Sequence, residues 1–384
     1  MPKVKLPATG PRRVALVVLA AGALSAATAA PAAAGHSHHA GNPFLNRFSS
    51  TTVLSTAVPA SGPAMGDQNP YGVAVVSKTE GDLTKGDVLV SNFNNADNQQ
   101  GTGSSIVEVS PSGQAHVFAV IPPPTATPAT GLTTALVELR RGFVVVGSLP
   151  APGGQSSAAT AGALTILDSS GKVVMNYTAR DINGPWDMTA LDRGSTAWLF
   201  VTNVLNGTVA AGGQTVHHGT VVRLGLEIPR HGAPQVVSNR VIATGFSERT
   251  DPNALVVGPT GVGLGHDGTL YVADSDNSRI AAIPDALGRT HPLRGGGITV
   301  SSNAALNDPL GLTIAPNGDI VSANGGDGNL VETTPNGHQV ATTTLVPNGG
   351  GDLFGLAIAP RGRGVYFVND IGSGPASNSL DLLH

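Results

Sequence analysis

The sequence predicts an all-β chain closed into a six-bladed β-propeller, and two observations point there. A unit of three short apolar strands separated by turn residues recurs six times in the 384 residues. The 51 glycines and 28 prolines cut the apolar runs into strand-length pieces. Each interior glycine would cost a helix about 1 kcal/mol relative to alanine, which disfavours a helical solenoid. Units of this kind cannot bury both sheet faces alone, and radial repetition covers those faces while leaving only short edges. Composition closes other routes: with no cysteine there is no disulfide scaffold, zinc-thiolate site or cysteine nucleophile.

The first 34 residues form a block of their own. Lys3, Lys5, Arg12 and Arg13 precede an apolar run over 14–24, and small residues follow. This is the order of a cleaved secretory signal peptide, and the run is too short for the roughly 20 residues of a membrane span. Cleavage is expected after Ala29 or after Ala34; the second is favoured because polar Gly35-His36 follows it. The expected location is secreted or periplasmic. Arg12-Arg13 lacks the continuation of a twin-arginine signal. Removing four bases and no acid takes the formal net charge from −4 to −8. That sign disfavours nucleic acid and anionic membrane surfaces as partners, and no later segment reads as a span. Residues 35–47 read as a flexible segment carrying His36, His38 and His39, where a metal would find imidazoles without fixed geometry. A monomer is expected.

Residues 48–384 carry the repeats. The clearest is Pro259-Thr260-Gly261-Val262, then Asp267-Gly268, Leu270-Tyr271-Val272-Ala273-Asp274 and Arg279-Ile280-Ala281-Ala282-Ile283. Unit starts fall at Gly72, Gly131, Asp187, Gly261, Gly311 and Gly355. The longest interval, between the third and fourth, predicts an insertion in the third blade, with His217-His218 in its loop. The last unit ends after its third strand, and the stretch 51–59 before the first unit is strand-like. The expectation is that this stretch supplies the missing fourth strand and closes the ring.

The unit beginning Pro259-Thr260-Gly261-Val262 and continuing through Ala273-Asp274-Ser275-Asp276-Asn277-Ser278-Arg279-Ile280 resembles the NHL-repeat family of six-bladed propellers. The resemblance implies an architecture of the NHL, TolB and regucalcin type and covers most of 48–384. It implies two rings of side chains at one mouth of a central channel. One ring comprises Tyr71, Thr130, Trp186, Thr260, Leu310 and Phe354. The other comprises Asn92, Ser148, Asn203, Asp274, Asn324 and Asn369. Asp187 stands where other units carry glycine, and with Trp186 it is the most distinctive candidate. Aromatic faces above amide and carboxyl groups suit a polar ligand, although turn capping by each Asn or Asp explains the second ring more simply.

Related lactonases and gluconolactonases of the regucalcin type carry Asn or Asp between the Pro and Gly of some blades to hold a divalent metal. Four of the six residues here offer no ligand suited to a hard cation. Virginiamycin B lyase-like propellers would place His and Glu in the same mouth, and neither ring contains His. The segment 274–285 lacks the glycine and glutamate of an EF-hand, and no nucleophile elbow, H-E-x-x-H or Walker motif is present. No cofactor is expected, a divalent metal being the one exception in view. The leading expectation is a non-enzymatic binding or interaction module for a protein or small molecule. Its contact surface would be the mouth with loops 92–103, 324–329 and 348–352. A metal-assisted hydrolase or lyase, or a structural envelope protein, are the alternatives.

Overall fold

The second strand of each repeat is a run of buried residues, as in Val88–Asn94, where all seven are buried. Such a run, bounded by turns, belongs to a strand covered on both faces. The computed structural model describes residues 42–123, 129–371 and 377–384. The predicted leader and His36, His38 and His39 lie outside the described residues.

Six antiparallel sheets follow one another around a ring. Blade 1 comprises Gln68–Val75, Val88–Asn94, Ser105–Val109 and Ala115–Val120, from the inside outward. Blade 2 comprises Leu132–Leu139, Phe143–Ser148, Leu164–Leu167 and Val173–Tyr177. Blade 3 has five strands: Pro185–Asp192, Thr196–Asn203, Val216–Glu227, Gln235–Asp251 and Leu255–Val257. Blade 4 comprises Pro259–Leu264, Leu270–Asp274, Arg279–Ile283 and Ile298–Ser302. Blade 5 comprises Pro309–Ile314, Ile320–Asn324, Asn329–Thr333 and Gln339–Thr344. Blade 6 runs Leu353–Ile358, Val365–Asn369 and Ser379–Leu383, and Thr51–Thr56 from the other end of the chain completes it. In that closure Thr51 pairs with Leu383 and Thr56 with Ser379. The inner strands of adjacent blades pack together all the way round, including blade 6 against blade 1.

The core is distributed between blades. Leu89, Ile106, Leu136 and Val146 fill the gap between blades 1 and 2, and Phe200, Val221, Phe246 and Val272 the gap between blades 3 and 4. Between blades 5 and 6 the filling includes Phe44 and Leu45, which precede the first strand. Glu332 of blade 5 fixes them: its two carboxylate oxygens accept the backbone N–H of Phe44 at 2.7 Å and of Leu45 at 2.8 Å. Residues 42–47, expected to be flexible, are therefore docked. The blade 3 insertion is a lengthened hairpin, and His217 and His218 lie on its strand Val216–Glu227 instead of in a loop.

The glycine of the Pro-x-Gly signature is not a turn residue. Gly261, Gly311 and Gly355 lie inside inner strands, where a Cβ would overlap the carbonyl oxygens of Leu310, Phe354 and Tyr71 of the next blade. Glycine recurs there because neighbouring blades touch backbone to backbone. Hydroxyls strengthen the same seam: Ser91 Oγ donates to Thr133 O at 2.9 Å, Thr133 Oγ1 to Pro185 O at 2.8 Å and Thr202 Oγ1 to Thr260 O at 2.8 Å.

Register corrects one placement. Pro70, Pro185, Pro259 and Pro309 face Asn92, Asn203, Asp274 and Asn324, whereas in blade 2 the residue facing Ser148 is Leu132. Leu132 thus holds the proline position, and the ladder absorbs an extra residue before Leu136. Thr134, which lines the mouth beside Trp186, takes the ring place expected for Thr130, and Ala135, which precedes Leu136 as Asp187 precedes Met188, takes that of Gly131. Thr130 lies in the connection between blades, its hydroxyl donating to Ile121 O at 3.1 Å.

Candidate functional site

The six inner strands present their unpaired edges to the ring axis, and two cavities lie along it. One, of about 260 Å³, opens at the mouth where the inner strands begin; its lining includes Asn69, Tyr71, Trp186, Thr260, Leu310 and Phe354. The other, of about 440 Å³, follows the strands toward the opposite face, from Val73, Asp187, Val262 and Leu312 to Glu138, His266 and Ile358. Thr134 borders both.

Between them sits an aromatic stack. Tyr71 lies between Phe93 and Phe354, with ring centroids 4.5 and 4.1 Å away, and Trp186 meets Tyr71 edge-on at 5.9 Å. Offset and edge-on arrangements of this kind are the favoured aromatic geometries. Burial raises the Tyr71 hydroxyl above its ordinary range, and the nearby Asp370 carboxylate adds to the rise. The floor of the mouth is therefore largely aromatic.

The two predicted rings separate. Tyr71, Trp186, Thr260, Leu310 and Phe354 line the mouth together. Asn92, Asn203, Asp274, Asn324 and Asn369 do not line either cavity and bond within the walls. Asn92 Nδ2 donates to Ala57 O at 2.7 Å and Ser105 Oγ at 3.0 Å. Asn203 Nδ2 reaches Val201 O at 3.4 Å. Asn324 Nδ2 donates to Ala305 O at 2.7 Å, and Asn369 Oδ1 accepts from Ile371 N at 3.0 Å. Asp274 holds Arg279 Nε at 2.7 Å and Asn277 Nδ2 at 3.0 Å, which gives the Asp-x-x-Asn-x-Arg spacing of the repeat its physical meaning.

Asp187 belongs to the second cavity. Its Oδ1 accepts Met188 N at 2.7 Å and its Oδ2 accepts Val262 N at 3.1 Å. Burial pushes this carboxyl well above the usual carboxylate range despite both bonds. The side chain can occupy a glycine position because it bridges blade 3 to blade 4.

Sequence reasoning did not single out the polar wall of the mouth: Asn69, Asn94, Asn98, Gln100, Asn253, Asp308 and Asp370. Loop 92–103 did mark the neighbourhood of three of them. Asn69 and Asp308 stand just before the prolines that open blades 1 and 5, both at positive φ, so their Asx-Pro dipeptides were the available signal. Among the described residues, four oxygens in this wall are buried with no hydrogen-bond partner: Asn69 Oδ1, Asn94 Oδ1, Gln100 Oε1 and Asp308 Oδ1. Burial, with Asp352 nearby, pushes Asp370 up to about 7. Burial likewise lifts Asp308 to about 6, with Arg249 opposing the rise and Asp276 and Asp251 adding to it. Among the described residues, no group of three or more His, Asp or Glu is arranged to hold a metal ion, and no helix is long and apolar enough to cross a membrane.

No family model and no curated protein matches the sequence. Solved structures share the fold. A gluconolactonase from Xanthomonas campestris is 16% identical over 87% of this chain and 88% of its own, with a TM-score of 0.51. A calcium-binding protein, regucalcin, from Agrobacterium tumefaciens is 13% identical over 88% and 93%, with a TM-score of 0.53. The PQQ-bound aldose sugar dehydrogenase from Streptomyces coelicolor is 15% identical over 87% and 98%, with a TM-score of 0.53. The neighbours of lactonase and regucalcin type are six-bladed propellers, and at these identities the likeness is one of fold.

Proposed function

We propose that this chain is an exported ligand-binding propeller that takes a small polar molecule in the mouth above the Tyr71–Phe354 stack. The observation that carries this is the set of four buried, partnerless side-chain oxygens in the wall of that cavity. A buried acceptor without a partner costs about 1–3 kcal/mol, so several in one small cavity favour a bound donor. A pre-formed concave site with an apolar floor and a few convergent polar groups is also the usual form of a small-molecule pocket. Ligand-observed NMR with a panel of small polar molecules tests the reading. Binding that disappears in Leu310→Trp, which fills the mouth, supports it; binding that the filled mouth leaves unchanged overturns it.

A hydrolase at the same mouth is a second reading, favoured by Asp370. A carboxyl pushed up to about 7 in a cavity is suited to proton transfer near neutrality. One of the fold neighbours is a gluconolactonase. Turnover of a lactone and ester panel that is lost in Asp370→Asn favours this reading, and no turnover retires it.

A further inference from the structure

The mouth is one-sided in its hydrogen bonding. Several donors of its lining are already engaged: Asn94 Nδ2 donates to Asn98 Oδ1 at 2.7 Å, and Gln100 Nε2 to Asn253 O at 2.5 Å. Thr134 Oγ1 donates to Trp186 O, and Thr260 Oγ1 to Leu310 O at 3.0 Å. Among the described residues, the buried side-chain atoms of the lining left without a partner are all oxygens. Asn69 and Asn94 are more than nine-tenths buried and leave their Oδ1 atoms unpartnered, as do Gln100 Oε1 and Asp308 Oδ1. Among the described residues, the lining contains no Lys, Arg or His side chain and two carboxyls, Asp308 and Asp370. Arg249, the cation whose charge opposes the rise at Asp308, is paired with Asp251 and with Asp276 at 3.1 Å.

Resting on the mouth-binding reading above, we propose that the ligand is an organic ammonium ion with a compact apolar body. Its N–H groups would donate to the Asp370 and Asp308 carboxylates and to the open oxygens of Asn69 and Asn94. Its body would lie on Leu310, Trp186 and Phe354. An ammonium group carries three donors and no acceptor, which complements a wall whose buried unpartnered atoms are all acceptors. A sugar hydroxyl both donates and accepts, so only its donor half would answer these open oxygens. A hard divalent cation needs six to eight oxygens close around it, and an apolar floor supplies none. A desolvated carboxylate–ammonium contact is also stronger than the same contact in water.

Isothermal titration of the whole chain with phenethylammonium, neutral 2-phenylethanol and calcium chloride tests this. A pH of about 8 keeps Asp370 ionised against its neighbours Asp352 and Tyr71. Phenethylammonium is expected to bind at least about tenfold more tightly than the alcohol. Asp370→Asn should remove that preference while leaving the alcohol unchanged, and Leu310→Trp should abolish both. If the alcohol binds as tightly as the ammonium, or calcium displaces the ammonium, the ligand class is wrong and the mouth reading stands. If phenethylammonium does not bind at all, the proposal fails. If the Leu310→Trp variant, folded by circular dichroism, binds like wild type, the mouth reading fails with it.

Discussion

Asp187 Oδ2 accepts the backbone N–H of Val262 at 3.1 Å, so a carboxyl joins the inner strands of blades 3 and 4. Between blades 4, 5, 6 and 1 the equivalent seam is glycine against a carbonyl oxygen. One side chain thus changes how two blades meet without changing the ring.

Replacing Asp187 with alanine leaves two buried N–H groups, of Met188 and Val262, without their acceptor. The expected loss is about 2 kcal/mol, seen as a lower urea midpoint at unchanged slope. An unchanged midpoint would show that the bridge contributes nothing.

Gly355→Ala and Gly311→Ala drive a methyl into the carbonyl oxygens of Tyr71 and Phe354. Each should destabilise the ring by about 2–3 kcal/mol, because neighbouring backbones have to separate. Equal melting temperatures for variant and wild type would contradict the backbone-contact account.

Deleting residues up to Thr56 removes the outer strand of blade 6 and the Phe44–Leu45 anchor on Glu332. Calorimetry should show a lower melting temperature and a smaller unfolding enthalpy. The Glu332→Gln variant should show a smaller decrease, since it weakens the anchor and keeps the strand. A deletion that melts like the full chain would mean the ring closes without this strand.

Stability should rise as pH falls from about 7 toward about 4. Asp370 and Glu248 are pushed up to about 7 and Asp308 to about 6, all chiefly by burial. Across that window the folded chain keeps protons that unfolded carboxyls, with pKa values of about 4, have released. Their contribution is complete below the unfolded values and is lost as pH rises through the folded ones. Asp370→Asn should flatten part of the slope in chemical denaturation at stepped pH; a profile with the opposite slope would refute the assignment.

Much of the fold was legible because its rules are local. Alternating turn residues and short apolar runs mark strands whatever lies beside them, and the stretch 51–59 could be matched to a gap at the far end of the chain. Blade 2 shows where local reading stops. Ala129-Thr130-Gly131 looks like the signature, yet Leu132 faces Ser148, because a bulge in the ladder counts for nothing in a linear motif. The docked Phe44 and Leu45 were missed for a similar reason: their partner, Glu332, is nearly 290 residues away.

The sequence by itself determined the six units, the order of their strands and the aromatic residues at the mouth, since each depends on spacing along one blade. Only the tertiary structure decided what surrounds that mouth. Asn69, Asn94, Gln100, Asp308 and Asp370 come from blades 1, 5 and 6 or the connections beside them. Which of their oxygens lose water without gaining a partner is settled when the ring closes, because desolvation depends on neighbours that the chain order does not name.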